Sequence, residues 1–252
     1  MEVFAVLFLF IIGLTCGSFF NVVGLRVPKK ITFMNDRSKC PSCRRELAWY
    51  ELIPVLSFVL QKGKCRNCDM KISYMYPVIE LLTGILFAWS YIMIGFNFEL
   101  LKALFLVSLC VIVFVTDMKY MLIPNKILLF FLPFFVILSF IAPLEPWWSP
   151  LVGAAAGMGI IALIIIVSRG GMGAGDMKLF GVLGIVLGLE KVLIAFFLSC
   201  LFGSVIGILL ILFRIIKRKQ PVPFGPYIVV ATLLTYFFGD DIIQAYLTWL
   251  KI

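Results

Sequence analysis

Long apolar runs dominate the chain, and their lengths constrain its fold more than any other feature. A helix needs about 20 residues, within a range of about 17 to 25, to cross the hydrocarbon core of a bilayer. The runs are 3–25, 77–95, 100–117, 126–143, 151–168, 177–189, 192–213 and 227–249. The sixth is short for a span, so we expect it to be tilted or partly re-entrant. The sequence therefore predicts an all-α polytopic integral membrane protein with about eight transmembrane helices.

The positions of the basic residues predict how these spans are oriented. An acidic residue, Glu2, precedes the first apolar run, and the nearest basic residues follow the run. A cleaved signal peptide would carry basic residues before its apolar run, so this pattern predicts a retained span with its N-terminus outside. Alternation places residues 26–76, 118–125, 169–176 and 214–226 in the cytoplasm, and all Lys and Arg residues lie in or beside these loops except Lys102, Lys191 and Lys251. This asymmetry accounts for the net charge of +9, so we expect anionic lipid headgroups, and no nucleic acid, as partners.

The complete absence of histidine narrows the chemistry that the chain can perform. It excludes Ser-His-Asp and Cys-His hydrolysis, metalloprotease helices that carry two histidines, and any zinc site that contains histidine. Any catalysis must therefore depend on carboxylates, lysines, tyrosines or cysteines.

The one substantial hydrophilic insertion, residues 26–76, carries two Cys-x2-Cys pairs. The cysteines are Cys40 and Cys43, then Cys65 and Cys68. Two such knuckles are typical of a tetrahedral zinc site, and nearby Lys and Arg side chains favour the thiolates that bind metal. Because four protein ligands leave no position for water, we expect a structural zinc. Two disulfides are an alternative that a reducing cytoplasm opposes, and a dithiol redox switch is a third interpretation.

Three acidic residues, Glu80, Asp117 and Asp176, lie at the cytoplasmic margins of predicted spans. Ionisable groups near hydrocarbon are costly, so each is a candidate functional residue, although helix packing would also explain any one alone. Asp117 closes the third span and Asp176 opens the sixth, which places both at similar depth. Two such carboxylates can share a water molecule, with one ionised and one protonated, as in aspartic proteases. A proton or cation relay is the alternative.

The glycine-rich segment before Asp176, GMGAG, superficially matches a nucleotide-binding loop. A dinucleotide fingerprint requires a preceding strand in a βαβ unit, whereas an apolar span precedes this one, so we reject nucleotide binding. Non-helical backbone at membrane depth occurs only where it lines a cavity or is buried in protein. We therefore expect Gly173 and Gly175 to let an extended peptide substrate approach and pair with the backbone by strand addition.

Five segments in this order resemble the bacterial type IV prepilin peptidases, which are GxGD-type aspartic proteases, over nearly the whole chain. They are GSFFNVVGLRVP (17–28), the double Cys-x2-Cys insertion, YPVIELLTG (76–84), Asp117 followed by Ile123-Pro124, and GAGD (173–176). A further segment, PVPFGPY (221–227), resembles a family feature near the active face, and we interpret it as a rigid turn that enters the last span.

The resemblance implies a bifunctional enzyme of the bacterial cytoplasmic membrane, with residues 1–252 as a single peptidase domain. Such enzymes cut the leader from prepilins or pseudopilins on the cytoplasmic side, typically between Gly and Phe, and many N-methylate the new terminus with S-adenosylmethionine. It implies that Asp117 and Asp176 are the catalytic pair and that the four cysteines bind zinc. Glu80 is expected to contact the substrate's new amine or to assist methyl transfer.

Two other classes of protein were weighed against this interpretation. Presenilin or signal-peptide-peptidase enzymes also use GxGD, but they are expected to carry Tyr-Asp and Pro-Ala-Leu motifs; here Thr116 precedes Asp117 and Pro-Ala-Leu is absent. A proton-coupled transporter with a zinc-stabilised loop would place acids near the middle of the membrane and would show related halves, and the sequence shows neither.

Overall fold

The computed structural model describes residues 2–31, 38–217, 220 and 222–249, and the regular secondary structure in these ranges is helical. The helices are α1 (Glu2–Arg26), α2 (Leu56–Leu60), α3 (Met75–Ile94), α4 (Phe98–Tyr120), α5 (Asn125–Ile141), α6 (Ser149–Val167), α7 (Ala174–Leu212) and α8 (Gly225–Trp249). A short 3-10 helix, Trp49–Leu52, precedes α2. Parts of two predicted cytoplasmic loops, residues 32–37, 218, 219 and 221, lie outside the described residues, as does Lys251.

Among the described residues, six helices are long and apolar enough to cross a membrane: α1, α3, α4, α6, α7 and α8. α5 is also apolar but has only 17 residues. Six of the eight predicted apolar runs match single helices to within three residues at each end. The prediction of an all-α polytopic membrane protein is therefore confirmed.

The sixth and seventh predicted runs form one continuous element, α7, which reverses direction in its middle. Gly188 has φ 74° and ψ −177°, a backbone conformation that is not helical and that favours glycine. The ring centroids of Phe180 and Phe196 lie 5.8 Å apart, whereas 16 residues of straight helix would separate them by about 24 Å. α7 is therefore a helical hairpin, with a first arm (174–187) and a second arm (189–212).

The chain divides into two compact units, residues 1–115 and 116–252. In the first unit, α1 packs antiparallel to α3. Gly13 and Gly17 make this close approach possible, because a Cβ added to either would lie 2.7 or 2.8 Å from a backbone atom of α3. The G-x3-G spacing places both glycines on one face, as is common where membrane helices meet.

In the second unit, α6 packs on the first arm of α7 and the second arm packs on α8. Gly157 of α6 approaches the first arm so closely that an added Cβ would lie 2.7 Å from the carbonyl oxygen of Phe180. The ammonium group of Lys191, in the second arm, lies 2.8 Å from the carboxylate of Asp240 in α8. As a result, α5, α7 and α8 all begin at the same end of this unit, where α4 ends.

Candidate active site and candidate metal centre

Asp117 lies in the last turn of α4 and is held by the first residue of α8. Its side chain is buried, with 5% of the residue exposed, and the backbone N–H of Gly225 donates a hydrogen bond of 2.6 Å to its Oδ2. A Cβ added to Gly225 would lie 2.7 Å from the same oxygen. The start of α8 can therefore approach Asp117 this closely only because residue 225 is glycine.

Asp176 is the third residue of α7 and closes the first turn of that helix. The backbone N–H of Gly173 donates to its Oδ2 at 3.1 Å, and the backbone N–H of Asp176 donates back to the carbonyl of Gly173 at 3.0 Å. An acidic residue here accepts a hydrogen bond from an N–H group that the helix leaves unpaired, and it interacts favourably with the helix dipole. The residue is 9% exposed, so this carboxylate is also largely shielded from solvent.

The structure brings these two aspartates to the same end of the second unit. The chain between α4 and α5 packs against the first turn of α7, since a Cβ added to Gly175 would lie 3.1 Å from the Cβ of Ile123. Lys178 of α7 donates a hydrogen bond of 3.1 Å to the side chain of Asn125 at the start of α5. The carboxylates of Asp117 and Asp176 are close enough for electrostatic repulsion between them.

The glycine segment is less extended than the sequence led us to expect. α7 begins at Ala174, so Gly175 lies within the first helical turn, while Gly173 has the extended backbone of a helix cap with φ −78° and ψ 141°. The hydrogen bond between Gly173 and Asp176 explains this early start. Pairing with a substrate strand through Gly175 does not fit its helical backbone, and the role of both glycines in substrate binding stays a prediction.

Glu80 lies in the first unit, and its described contacts are with the cysteine insertion and α1. Its Oε2 accepts a hydrogen bond of 2.8 Å from the backbone N–H of Val55, which immediately precedes α2. Ser18 of α1 also hydrogen-bonds to this carboxylate. The described contacts therefore give Glu80 the role of a link between α3 and the insertion, and its predicted contact with substrate is not tested by them.

The four cysteines of the insertion form one cluster. The Sγ atoms of Cys40, Cys43, Cys65 and Cys68 all lie within 4.8 Å of one another. Two of the Sγ–Sγ separations are 3.7 Å, between Cys40 and Cys68, and 4.0 Å, between Cys43 and Cys65, far longer than the roughly 2.05 Å of a disulfide bond. All four cysteines are free thiols, so the disulfide interpretation does not apply to this structure. The two separations are close to the separation of about 3.8 Å that four thiolates have around a tetrahedral ion with bonds of about 2.3 Å. The cluster could hold a metal ion.

The two knuckles have the same local structure. In each, the first cysteine accepts a hydrogen bond from the residue four positions later and donates one to the carbonyl of the residue five positions later, with distances of 2.9 to 3.0 Å. The residue after each second cysteine, Arg44 or Asp69, has a positive φ of 56° or 53°. This tight turn directs both thiols of a pair toward the same point.

Backbone donors in the knuckles favour ionised thiols. The N–H of Arg45 lowers the pKa of Cys43 to about 6, and the N–H groups of Asn67 and Cys68 lower that of Cys65. The N–H of Met70 acts on Cys68 in the same direction, but burial and the neighbouring thiols outweigh it and raise the pKa of Cys68 to about 11. A bound metal ion would favour the thiolate form of all four cysteines, because it binds thiolates directly. The opposing pKa shifts among the thiols would then no longer decide which of them is ionised.

Two features of these sites were missed at the sequence level. Gly225 was interpreted only as part of a turn, and the one signal that could have identified it is a glycine before Pro226 at the start of an apolar run. Glu51 was not noticed either: its buried carboxylate accepts hydrogen bonds from Arg45 and from the N–H of Ala48, which brace the first knuckle. Nothing in the spacing of Arg45 and Glu51 distinguishes them from other charged residues of the insertion.

Two protein-family models match successive parts of the chain, one within the first unit and one that begins in α4 and extends into the second arm of α7. The model of the bacterial peptidase A24 N-terminal domain matches residues 11–94, which include the cysteine cluster and Glu80. The model of the type IV leader peptidase family matches residues 104–208, which include both aspartates.

Several curated proteins named prepilin leader peptidase/N-methyltransferase are similar over almost their full length. The protein from Bacillus subtilis (strain 168) is 47% identical, with 95% of this chain and 96% of the relative aligned. Those from Aeromonas salmonicida (strain A449) and Neisseria gonorrhoeae are 32% and 31% identical, with 97% and 98% of this chain and 94% and 95% of each relative aligned. No solved structure matches the chain significantly.

Proposed function

The chain belongs to the type IV leader peptidase family, and from this premise we propose that it cleaves the leader peptide of prepilins or pseudopilins. It is a protease of the membrane with a second, N-methyltransferase activity on the new terminus. This membership decides against the presenilin-type and transporter alternatives. The typical junction is Gly-Phe, as the family resemblance implies.

The proposal for the active site is carried by one observation: two buried carboxylates, Asp117 and Asp176, meet where four helix ends converge. Each is fixed through one oxygen, Oδ2, by a backbone N–H group, from Gly225 in one case and Gly173 in the other. In each, Oδ1 remains to hold a water molecule or the scissile carbonyl. Backbone donors suit this purpose because they position a carboxylate without adding a competing charge.

Peptide hydrolysis by this pair follows from sharing one proton between two carboxyl groups. The ionised carboxylate takes a proton from a water molecule, whose oxygen attacks the scissile carbonyl carbon. The protonated carboxyl group donates its proton to the carbonyl oxygen, which gives a neutral tetrahedral intermediate. The carboxyl group that took the proton from water then donates it to the leaving nitrogen, while the other carboxylate takes a proton from a hydroxyl group of the intermediate; the C–N bond breaks, and the pair again holds one proton. Neither histidine nor a catalytic metal is needed.

The decisive test compares the wild-type protein with Asp117→Asn and Asp176→Asn in proteoliposomes supplied with a prepilin that has a Gly-Phe junction. Loss of acid–base chemistry costs about 10² to 10⁴ in rate, so we expect either variant to retain less than about one hundredth of the wild-type cleavage rate. Asp240→Asn is a suitable control, because this acid lies 15 residues after Gly225 along α8 and pairs with Lys191. Wild-type cleavage by either active-site variant would refute the assignment.

We propose that Gly173 leaves room for the substrate backbone next to Asp176, and that Gly175 contributes by letting Ile123 pack against the first turn of α7. The extended backbone of Gly173 and its position before α7 support this role. Gly173→Ala is expected to raise KM and also to lower kcat, because its added Cβ would lie 3.1 Å from Oδ2 of Asp176, whereas Gly207→Ala, whose added Cβ would have no heavy atom within 4 Å, is expected to change neither. An unchanged KM for Gly173→Ala would contradict the proposal.

The role of Glu80 as a substrate contact is tested by Glu80→Gln. Glutamine retains an oxygen acceptor for the N–H of Val55 but removes the negative charge that would attract an amine. A loss of methyl transfer in a variant with normal cleavage would support the contact. Normal methyl transfer would show that Glu80 serves only to hold the insertion.

We propose zinc as the metal of the four-cysteine cluster, with Cys40, Cys43, Cys65 and Cys68 as its ligands. The separations between the sulfur atoms fit tetrahedral coordination by thiolates, for which zinc is the usual structural ion. Zinc would join the two knuckles and so stabilise an insertion that has little apolar core of its own. The purified protein is then expected to contain about one zinc ion per chain.

The methyl donor is proposed to be S-adenosylmethionine, which the name of the relatives as N-methyltransferases supports. The test is transfer of a labelled methyl group from S-adenosylmethionine to the product of cleavage. If product from a completed cleavage reaction acquires no label, this activity is not present in the chain.

We further propose that residues 1–252 act as one peptidase domain in the bacterial cytoplasmic membrane, with residues 26–76 as an insertion on the cytoplasmic side. The chain-wide similarity to the Bacillus subtilis protein supports a single domain, and the basic loops support the orientation. In intact spheroplasts, a membrane-impermeant maleimide is expected to label Glu46→Cys, which places a thiol at an exposed position outside the proposed zinc ligands, only after permeabilisation. Labelling before permeabilisation would reverse the orientation.

A further inference from the structure

A patch of apolar side chains on the cysteine insertion is not covered by any described part of the protein. Leu56, Val59 and Leu60 are 60%, 64% and 74% exposed and lie three and four positions apart on α2, so they share one side of this helix, the α2 face. The opposite side is occupied: the ring of Phe58 packs on that of Tyr74, with centroids 5.4 Å apart. α2 is thus apolar on both sides, and its outer side is the one that no described residue covers.

The attachment of α2 to α3 determines the depth at which it lies. The N–H of Val55, directly before α2, donates to Glu80, the sixth residue of α3. Five residues of helix rise about 7.5 Å, and the 20 residues of α3 span about 30 Å, the thickness of the hydrocarbon core. If α3 crosses that core, Glu80 lies below its edge, and the start of α2 is held at the boundary between acyl chains and headgroups.

The charges next to α2 are those expected at such a boundary. The turn after α2 carries three exposed basic residues, Lys62, Lys64 and Arg66, here called the basic turn. Arg66 lies over the ring of Tyr50, 5.1 Å from its centroid, so this turn remains beside the apolar residues rather than extending away. An apolar face flanked by cations is the pattern of a helix in a membrane surface that contains anionic lipid.

We propose that α2 lies in the bilayer interface, with the α2 face among the acyl chains and the basic turn against anionic lipid headgroups. The insertion that contains the four-cysteine cluster would then contact the membrane through α2, rather than being surrounded by water on all sides. The lipid surface is the partner because Glu80 holds α2 at that depth, where lipid surrounds α3. This inference rests on the membrane spans and does not depend on the proposed peptidase activity.

The test uses the intact protein in liposomes that contain a lipid with a photoreactive diazirine on one acyl chain, close to the headgroup, where an interfacial helix would lie. After illumination, mass spectrometry locates the labelled residues. We expect residues 56–60 to be labelled within about threefold of the exposed Leu82 and Ile85 of α3, which serve as an internal reference for lipid contact. Asn67 and Asp69, exposed residues of the second knuckle, provide the reference for residues outside the acyl chains. Labelling of α2 no greater than at Asn67 and Asp69 would overturn the proposal.

A second comparison tests the part played by charge. Addition of phosphatidylglycerol to phosphatidylcholine liposomes is expected to raise the labelling of residues 56–60 by about fivefold for each basic residue near the surface, until labelling saturates. Lys62→Gln with Lys64→Gln should reduce this increase to the roughly fivefold that Arg66 alone contributes, whereas Arg44→Gln, at an exposed site of the first knuckle, should preserve it. If the wild-type protein is labelled equally in both lipid mixtures, the assignment of the basic turn to anionic headgroups is wrong. Zinc content, measured on every variant, identifies any that are misfolded.

Discussion

The cysteine cluster and the aspartate site are assembled in different ways. Each pair of cysteines is organised by hydrogen bonds within a six-residue segment, 40–45 or 65–70, and the two segments repeat the same turn. Asp117 instead depends on Gly225, 108 residues later in the chain. Asp176 is intermediate, because Gly173 holds it locally while Ile123 packs against the same helical turn.

This difference indicates how each site should respond to change. The geometry of a knuckle depends on local hydrogen bonds and on the metal that it is proposed to bind. Metal binding should therefore be most sensitive to substitution of the four cysteines and of the residues that hydrogen-bond to the knuckles. The aspartate site has its geometry from helices that meet with very small clearance, so its weak points include residues that carry no chemistry at all. Substitutions at the two sites should therefore separate metal content from catalytic rate.

The largest effect is expected from Gly225→Ala, which adds one methyl group. Its Cβ would lie 2.7 Å from Oδ2 of Asp117, and either the carboxylate or the start of α8 must move. A displacement of about 1 Å at a catalytic group can cost about 100-fold, so we expect kcat for prepilin cleavage to fall by about that factor, with KM and zinc content unchanged.

Gly207→Ala is the matched control for this prediction. It also adds a methyl group to a helical glycine, but no heavy atom lies within 4 Å of the new Cβ, so we expect wild-type kcat. Equal rates for Gly225→Ala and Gly207→Ala would show that the clearance at Asp117 has no catalytic importance.

Removal of the proposed zinc should have a smaller effect on cleavage. Cys40→Ser, or treatment of the wild-type protein with a chelator, is expected to reduce zinc from about one ion per chain to less than a tenth of that. Because neither Asp117 nor Asp176 is in the insertion, we expect cleavage to decrease by about tenfold at most, within the range found when supporting groups of metal sites are removed. Cys110→Ser, at a cysteine outside the cluster, should retain both zinc and activity. A loss of cleavage as complete as in Asp117→Asn would contradict the separation of the two sites.

The smallest effect concerns Glu51, which braces the first knuckle. Burial raises the pKa of Glu51, but hydrogen bonds from Ala48 and Arg45 lower it more, so its pKa in the folded protein is below the usual value. Its contribution to stability is then fully present above the usual pKa, about 4.3, and is lost as the pH falls through the lowered value. At pH 7, Glu51→Gln is expected to release zinc to a chelator about threefold faster than the wild type does.

The pH dependence of that ratio provides the check. As the pH falls through the lowered pKa, the wild type also loses the charge on Glu51, so the two release rates should converge, although both rates rise as thiolates are protonated. Glu46→Gln is the control, because Glu46 and Lys39 are exposed and 3.9 Å apart, and such pairs contribute little. If the ratio of zinc release rates between Glu51→Gln and the wild type stays constant with pH, the charge of Glu51 is not the cause of the slower release from the wild type.

The sequence predicted those parts of the molecule that short patterns determine. The apolar runs predicted the helices, and the Cys-x2-Cys pairs predicted a cluster, since a six-residue turn is enough to direct two thiols to one point. The pairing of Asp117 with Asp176 was inferred from matched depth, which is a property of single spans. Each of these predictions depends only on a few neighbouring residues or on the length of an apolar run.

The features that the sequence did not reveal all depend on contacts between distant segments. The need for glycine at position 225 becomes apparent only when α8 is placed against Asp117. The link between Glu80 and Val55 likewise joins the insertion to a helix 25 residues later. The helical conformation of Gly175 was not expected, because the glycine-rich pattern suggested an extended loop while the capping by Asp176 favours a helix.

The hydrogen bonds to Oδ2 of both aspartates come from main-chain atoms, and this makes the site unusually tolerant of variation in side chains. Those two bonds survive changes to side chains that do not pack at the small clearances around Gly175 and Gly225, so the surface beyond these contacts is free to diversify while the two carboxylates stay in place. An engineer seeking a protease for a different leader sequence could therefore vary the side chains around the cleavage site broadly. The positions to leave alone would be Gly173 and Gly225.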